Sequence, residues 1–330
     1  MILPDCNIFD MKEGIIIIAD INILKPHPTE RGDLYRIWQS SFSVDDMELF
    51  FTYFYDCELC RVAVVDDKPV AMGFLIPVGN LIDSTGRKHP CAHIYAIATL
   101  PEFQGKGLAS AIVKQLIKVG MSGGYTAIAL RPAEESLFKY YDNNSPFCDW
   151  FYYIERCYDF DNINSADFPN CDSTNNIEIS RISAERYTEM RNILLRDNMP
   201  GGFSYVELSA FALGYQEKIC DIFGGALYLA EYEDGFALLT VELQPDETVQ
   251  IKEFLSSADY KELKDNIISV ISKIHPARKY ITRAPVYDIK ITAGADCIKK
   301  FAMLAALPGG ITDINTPAET SAPWCGLAFD

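Results

Sequence analysis

The chain lacks a long hydrophobic run and any excess of basic charge. No apolar run is long enough to span a bilayer, whether the isoleucine-rich residues 15–19 or the seven residues 301–307, and no basic segment followed by a long hydrophobic stretch opens the sequence. Lys and Arg number 29 against 46 Asp and Glu, which gives a formal net charge of −17. Because no basic tract offsets the repulsion from phosphates, this composition disfavours duplex nucleic acid as a ligand. We expect a cytoplasmic protein that binds neither nucleic acid nor a membrane.

Cysteine and histidine are present, but not in the spacing of a disulfide framework or a metal site. The ten cysteines are scattered, and Cys57 and Cys60 form the one Cys-x-x-Cys pair. A structural zinc site would need a second such pair or nearby histidines. The four histidines are not spaced for that role, since they stand at positions 27, 89, 93 and 275. The sequence therefore predicts no metal site and two free thiols at Cys57 and Cys60.

The length of the chain exceeds what one hydrophobic core usually organises. Its 330 residues, of which 49% are hydrophobic, suggest two domains of about 150 residues each. A polar stretch rich in Asn and Asp interrupts all periodicity near the middle. We therefore predict a first domain at 1–160, a linker at 161–176 and a second domain at 177–330.

Strands and helices alternate through the first half, as judged from hydrophobic period and turn residues. In chain order the pattern predicts a strand at 14–24, helices at 29–42 and 45–55, strands at 61–65, 70–76 and 93–100, a helix at 107–120, a strand at 127–131, a helix at 134–141 and a strand at 150–158.

Residues 92–109 carry the most specific signal. A strand-like run ends at Pro101, and the segment Gln-Gly-Lys-Gly-Leu-Ala at 104–109 then opens a helix. Gly105 and Gly107 let the backbone turn with its N–H groups pointing outwards, so the turn and the bare helix N-terminus form a site for phosphate, to which Lys106 adds a charge. Walker-type and dinucleotide-binding loops are excluded by their spacing, since no Gly-Lys-Ser/Thr and no third glycine follow.

The pattern that does fit is Gln/Arg-x-x-Gly-x-Gly/Ala, satisfied by Gln104, Gly107 and Ala109 in a strand–turn–helix setting. With the order of elements around it, this segment resembles the GCN5-related N-acetyltransferase (GNAT) superfamily over roughly the first half of the chain. The resemblance implies an α/β protein with the α+β GNAT fold: a mixed, mostly antiparallel, twisted sheet flanked by helices.

The resemblance also implies acetyl-coenzyme A as the acetyl donor. Its pyrophosphate would lie on the turn, and its pantetheine arm would pair with β-strand backbone like an added strand. A primary amine would attack the thioester directly, and a backbone N–H in the strand would stabilise the developing oxyanion. The implied cofactor-binding residues are Ile97, Ala98, Thr99, Gln104, Gly105, Lys106, Gly107, Leu108, Ala109 and Ser110.

His93 is the candidate base. An alkylammonium must lose a proton before it can attack, and His93 lies eleven positions before Gln104, where histone-modifying members of the family carry a glutamate. It shares one strand face with Tyr95, Ile97 and Thr99. The alternative is a hydrogen-bonded structural histidine.

Tyr141 is the candidate acid for the departing thiolate, with Tyr140 as the second choice. The family places this tyrosine late in the helix, about five residues before an aromatic that begins the last strand, and Phe147 lies six beyond Tyr141. Residues 143–147, Asn-Asn-Ser-Pro-Phe, replace the usual Gly-Phe junction. A purely packing role for the aromatic patch around Tyr141 is the alternative.

The second half resembles a fainter copy of the first. We predict a strand at 177–182, helices at 184–196 and 205–220, a hairpin of strands at 226–231 and 236–241, a strand at 249–255 and a helix at 260–274. At the position of the phosphate turn the chain has Ser-Ser-Ala-Asp at 256–259, without a glycine and with an acid. This favours a degenerate GNAT-like domain without a cofactor site, packed on the first domain. Tandem pairing would permit a monomer, and a dimer stays open.

Two classes of function fit these features. The first is an N-acetyltransferase acting on a primary amine, and the second is a non-catalytic acyl-coenzyme A binding or regulatory protein. The acceptor stays open among small amines, antibiotics, peptides and protein lysines, because the residues that choose it lie on variable loops.

Overall fold

A computed structural model of the chain describes residues 22–159, 176–197, 203–233, 235–257, 261–286, 297–311 and 322–327. In these ranges, seven α-helices flank one sheet of 13 strands, most of which pair antiparallel. This is the predicted mixed α/β architecture. None of the helices in these ranges is long and apolar enough to cross a membrane.

The elements of the first half follow the predicted order. They are β1 (Asn22–Leu24), α1 (Arg31–Gln39), α2 (Met47–Tyr53), β2 (Cys60–Val65), β3 (Lys68–Ile82), β4 (Lys88–Thr99), α3 (Leu108–Ser122), β5 (Ala127–Leu130), α4 (Glu135–Asn144) and β6 (Cys148–Asp159). The main difference is the length of β3 and β4, which continue as a hairpin beyond the predicted strands. Most of the predicted first strand, residues 14–21, lies outside the described residues.

The second half adds β7 (Glu178–Arg181), α5 (Ala184–Asp197), β8 (Tyr205–Leu208), α6 (Ala210–Ile222), β9 (Ala226–Tyr232), β10 (Gly235–Leu243), β11 (Thr248–Ser256), α7 (Lys261–Ile274), β12 (Lys279–Ala284) and β13 (Cys297–Ala306). The prediction of one helix over 205–220 is wrong at its start. Residues 205–208 form β8, which pairs with β3, and α6 begins only after Ser209, whose side chain accepts a hydrogen bond from the Ala212 N–H.

The two halves exchange strands within the sheet. The strand order is β1-β2-β3-β4-β5-β13-β6-β12-β11-β10-β9-β7. The late strand β13 therefore lies between β5 and β6 of the first half, and β6 in turn pairs with β12 of the second half. As a consequence, residues 297–306 complete the sheet on which the first-half motif is built. The domain boundaries at 160 and 177 stay predictions, since residues 160–175 lie outside the described ranges.

The hydrophobic core also joins the two halves. Helix α6 packs against α2, and the Tyr215 ring meets Phe54 edge-on with ring centroids 4.8 Å apart. The described part of the C-terminal tail, residues 322–327, is buried as well, and Trp324 is fully enclosed. A buried ion pair fixes this region, because Arg191 and Trp324 both donate hydrogen bonds to the Glu253 carboxylate at 2.9–3.1 Å.

Candidate active site

The glycine turn ahead of α3 leaves the first backbone donors of that helix uncovered. Gly105 and Gly107 have φ values of 73° and 76°, in the left-handed region that favours glycine. Gly107 is the N-cap of α3, and no side chain caps the helix there. A Cβ added to either glycine would meet no atom within 4 Å. The turn is therefore an open concavity beneath the positive end of a 15-residue helix.

Neighbouring side chains brace the turn rather than cover it. The Gln104 side-chain amide donates a hydrogen bond to the Thr99 carbonyl at 3.2 Å, which ties the turn to the end of β4. The Lys106 ammonium donates to the Glu102 carbonyl at 3.1 Å and lies 4.8 Å from the Phe103 ring centroid. Its charge is thus held beside the turn.

A bulge in β4 lies next to this turn. Ala96 has a φ of 50°, unusual for a residue other than glycine, and Ala96 and Ile97 together face the single residue Gly73 of β3. A Cβ on Gly73 would lie 2.3 Å from Ile97 Cδ1 and 2.8 Å from Ile112 Cγ2. The missing side chain of Gly73 therefore lets the bulge and α3 approach β3.

Strands β4 and β5 separate at the same place. Their parallel pairing runs from Cys91 with Ala127 to Ile94 with Leu130 and ends there. In the described ranges, no strand pairs with the edge of β4 from Tyr95 to Thr99 on the β5 side. Backbone in this stretch, which includes the predicted contacts Ile97, Ala98 and Thr99, is available to an extended ligand.

A cavity of about 430 Å³ opens where the two strands diverge. The first half lines it with side chains of α1, the α1–α2 connection, β4, the end of β5 and α4. Its other wall comes from the second half of the chain. The lining residues from that half are Ile219, Phe223, Glu242, Gln244, Gln250 and Lys252.

The structure brings both predicted catalytic residues into this cavity. Tyr141 lies on α4, is 8% exposed, and packs edge-on against Tyr140 and Phe147. Burial, reinforced by the neighbouring Tyr140, raises the pKa of Tyr141 to about 12. Tyr140 points elsewhere, because its hydroxyl lies 2.5 Å from the hydroxyl of Ser110 in the first turn of α3.

His93 lines the same cavity from β4 and is 2% exposed. Its Nε2 accepts a hydrogen bond from the Arg131 backbone N–H at 3.2 Å, across the point where β4 and β5 separate. Because Nε2 is the acceptor, the neutral ring carries its proton on Nδ1. His93 thus has a structural bond that ties β4 to the residue after β5, and it also faces the cavity.

The cavity is also lined by an ionisable residue that belongs to none of the sequence motifs. Asp46, the N-cap residue of α2, lines the cavity together with the pair Glu242 and Lys252. The Lys252 ammonium lies 2.8 Å from Glu242 Oε2, and the Gln216 amide donates to Glu242 Oε1 at 2.7 Å. Sequence patterns predict Asp46 only as the start of a helix, because the second-half wall that faces it comes from residues about 200 positions later.

Comparison with known proteins supports the assignment made from the motif. The model of the acetyltransferase (GNAT) family matches residues 31–142, which contain the glycine turn, β4, β5 and nearly all of α4. No curated protein shows significant sequence similarity to the chain.

Several solved structures share the fold over most of the chain. A GCN5-related N-acetyltransferase from Kribbella flavida has a TM-score of 0.61 at 16% identity, covering 88% of this chain and 72% of its own. One from Anabaena variabilis gives 0.62 at 16%, covering 86% and 72%. The protein Eis1 from Mycobacterium abscessus gives 0.57 at 13%, covering 87% and 74%. At these identities the likeness shows the fold alone.

Proposed function

Because the model of the acetyltransferase (GNAT) family matches residues 31–142, we propose that the chain transfers an acetyl group from acetyl-coenzyme A to a primary amine. The observation that carries this proposal is that the features needed to bind the cofactor and the candidate catalytic residues lie in the same region of the first half. The uncapped start of α3 follows closely after β4, and residues 95–97 of β4 line a cavity that is also lined by Tyr141 and His93. A phosphate-bearing thioester and a small amine could both be accommodated there.

The residues of the turn fit the cofactor. Open space in front of Gly105 and Gly107 lets phosphate approach the backbone, and the N–H groups at the start of α3, at Leu108, Ala109 and Ser110, are the donors that a helix leaves unpaired. Residues 97–99 would hold the pantetheine arm by backbone hydrogen bonds. When bound, acetyl-coenzyme A supplies the thioester, whose C–S bond is exchanged for a C–N bond to the amine.

Tyr141 holds a proton inside the cavity. With its pKa raised to about 12, the phenol stays protonated at neutral pH and can donate that proton to a departing thiolate. Tyr140 is less suited to this role, because its hydroxyl is engaged with Ser110 at the start of α3. We therefore assign the acid role to Tyr141.

His93 is our candidate for the base that deprotonates the ammonium form of the acceptor. Its Nε2 lone pair is engaged by the Arg131 N–H, so removal of a proton there requires this bond to be exchanged. The variant His93→Gln separates the two roles, since a glutamine oxygen can still accept the backbone hydrogen bond but cannot act as a base at neutral pH. A base role predicts loss of turnover in this variant, with cofactor affinity retained.

A screen of free-thiol release from acetyl-coenzyme A tests the proposal. The purified chain is incubated with single amines from four groups: small aliphatic amines, aminoglycosides, peptides with a free N-terminus and lysine-containing peptides. Release that depends on an amine and saturates with it is the expected result. Tight binding of acetyl-coenzyme A without release for any amine would instead favour the non-catalytic binding protein.

A further inference from the structure

The carboxylate of Asp46 is a charge in the cavity wall that the proposed chemistry does not use. Asp46 is the N-cap of α2, yet its side chain makes no capping hydrogen bond to that helix. Within the part of the chain that the structure describes, no other residue forms an ion pair or a side-chain hydrogen bond with it. Burial raises the pKa of this carboxyl, and its own backbone N–H and the charge of Lys252 partly oppose the shift. An unpaired carboxylate in such a place is costly unless a ligand compensates it.

Apart from His93, the other acidic and basic side chains that line the cavity are Glu242, Lys252 and Arg131, and each has a partner other than Asp46. Lys252 is 5% exposed and is paired with Glu242, which is 1% exposed and also accepts from Gln216. The Arg131 guanidinium lies over the Phe301 ring, 5.2 Å from its centroid. The pair Glu242 and Lys252 is neutral in sum, so it does not cancel the negative charge of Asp46.

Apolar surface accompanies this carboxylate in the cavity. Trp38 and Phe42 come from α1 and the residues after it, Tyr95 from β4, and Phe223 from the end of α6. The Trp38 and Tyr95 rings lie 6.4 Å apart between centroids. Aromatic faces are attracted to cations and pack against methylene chains.

We propose that the acceptor site selects amines that carry a second cationic group, which Asp46 binds while an apolar spacer lies along the aromatic wall. The inference rests on the proposed function, since it names the acceptor class of the same site. It also makes the second half of the chain part of substrate selection, because Glu242 neutralises Lys252 and thereby leaves Asp46 available to a cation.

Matched acceptors test the proposal. Putrescine and n-butylamine have the same carbon chain and a primary amine, and they differ only in the second amino group. We expect wild-type kcat/KM to be higher for putrescine by on the order of tenfold or more, as one charge-assisted hydrogen bond provides. In Asp46→Asn the ratio of the two kcat/KM values should fall towards one. A purely structural role of Asp46 would lower both values and leave the ratio unchanged.

The control variant is Asp67→Asn, which removes the same charge from the exposed β2–β3 turn, where φ is 59° and asparagine is well tolerated. It should keep the wild-type ratio. An equal ratio in wild-type protein and Asp46→Asn, or a loss of preference in Asp67→Asn, would overturn the inference.

A binding measurement separates this inference from the proposed function. Calorimetric titration of putrescine into the chain, with and without coenzyme A, should show an affinity that falls about tenfold or more in Asp46→Asn. Asp46-dependent binding without any acetyl transfer would refute the proposed function and keep the cation site. Acetyl transfer to amines, without any effect of Asp46→Asn on putrescine binding or on the kcat/KM ratio, would refute the cation site and keep the proposed function.

Discussion

Replacement of Gly107 by glutamate is the sharpest perturbation of the predicted phosphate turn, and α3 itself provides the control. Gly107 before the helix and Gly124 after it are both exposed, have φ values of 76° and 81°, and face open space where a Cβ would be added. A side chain at such a φ costs about 1–2 kcal/mol at either position. The two sites differ in the helix end that they occupy and in the ligand that only the first is predicted to meet.

The helix dipole makes the two stability changes unequal. A carboxylate near the N-terminus of α3 regains about 0.3–1 kcal/mol, and one near the C-terminus loses about as much. Gly107→Glu should therefore lower the free energy of unfolding by about 0–1.7 kcal/mol and Gly124→Glu by about 1.3–3 kcal/mol, measured by urea titration. On stability alone, the Gly124 variant is the more damaged protein.

Binding of acetyl-coenzyme A should follow the opposite order. The Gly107→Glu side chain occupies the approach to the α3 donors and repels phosphate, so calorimetry should show a loss on the order of a hundredfold, the equivalent of one or two charged hydrogen bonds. Gly124→Glu should bind like the wild-type chain. Equal affinities for both variants, or a larger loss in Gly124→Glu, would refute the assignment of the turn to the cofactor.

Three further predictions concern the candidate acid, its pH dependence and the buried ion pair. Tyr141→Phe should lower kcat by on the order of a hundredfold with unchanged cofactor affinity, and Tyr140→Phe much less; the reverse order in steady-state kinetics would move the acid role to Tyr140. Because the Tyr141 pKa is raised to about 12, the phenol keeps its proton below that pH, and wild-type kcat should show no decline caused by Tyr141 up to about pH 10. A decline near pH 9 that disappears in Tyr141→Phe would contradict this. Glu253→Gln leaves the buried Arg191 without its counter-charge and should cost about 3–5 kcal/mol in urea unfolding, whereas a loss below about 1 kcal/mol would mean that the pair is not buried as described.

The turn could be predicted from the sequence because its physics is local. Two glycines before an amphipathic helix determine a left-handed turn and an uncapped helix start within a few residues, and the structure has both at Gly105 and Gly107. The family resemblance located His93 by its spacing from Gln104 and Tyr141 by its position before Phe147, and both line the cavity. Their roles stay predictions.

Features that depend on distant partners could not be predicted. The run Tyr-Val-Glu-Leu at 205–208 fits a helix as well as a strand, and it becomes β8 because it pairs with β3, for instance through Glu207 opposite Asn80. Likewise, the sequence pattern of residues 297–306 does not predict that β13 inserts between β5 and β6. The bond from the Arg131 N–H to His93 and the Asp46 wall of the cavity arise only after this assembly.

The most direct test of the central claim is mass analysis of an amine acceptor after incubation with acetyl-coenzyme A and a catalytic amount of the chain. The account predicts that the amine gains one acetyl group, in an amount equal to the free thiol released, over many turnovers per protein molecule. Thiol release without an acetylated amine would show hydrolysis of the thioester, and bound acetyl-coenzyme A that remains intact with every amine would show a binding protein. Either result would contradict the acetyltransferase assignment.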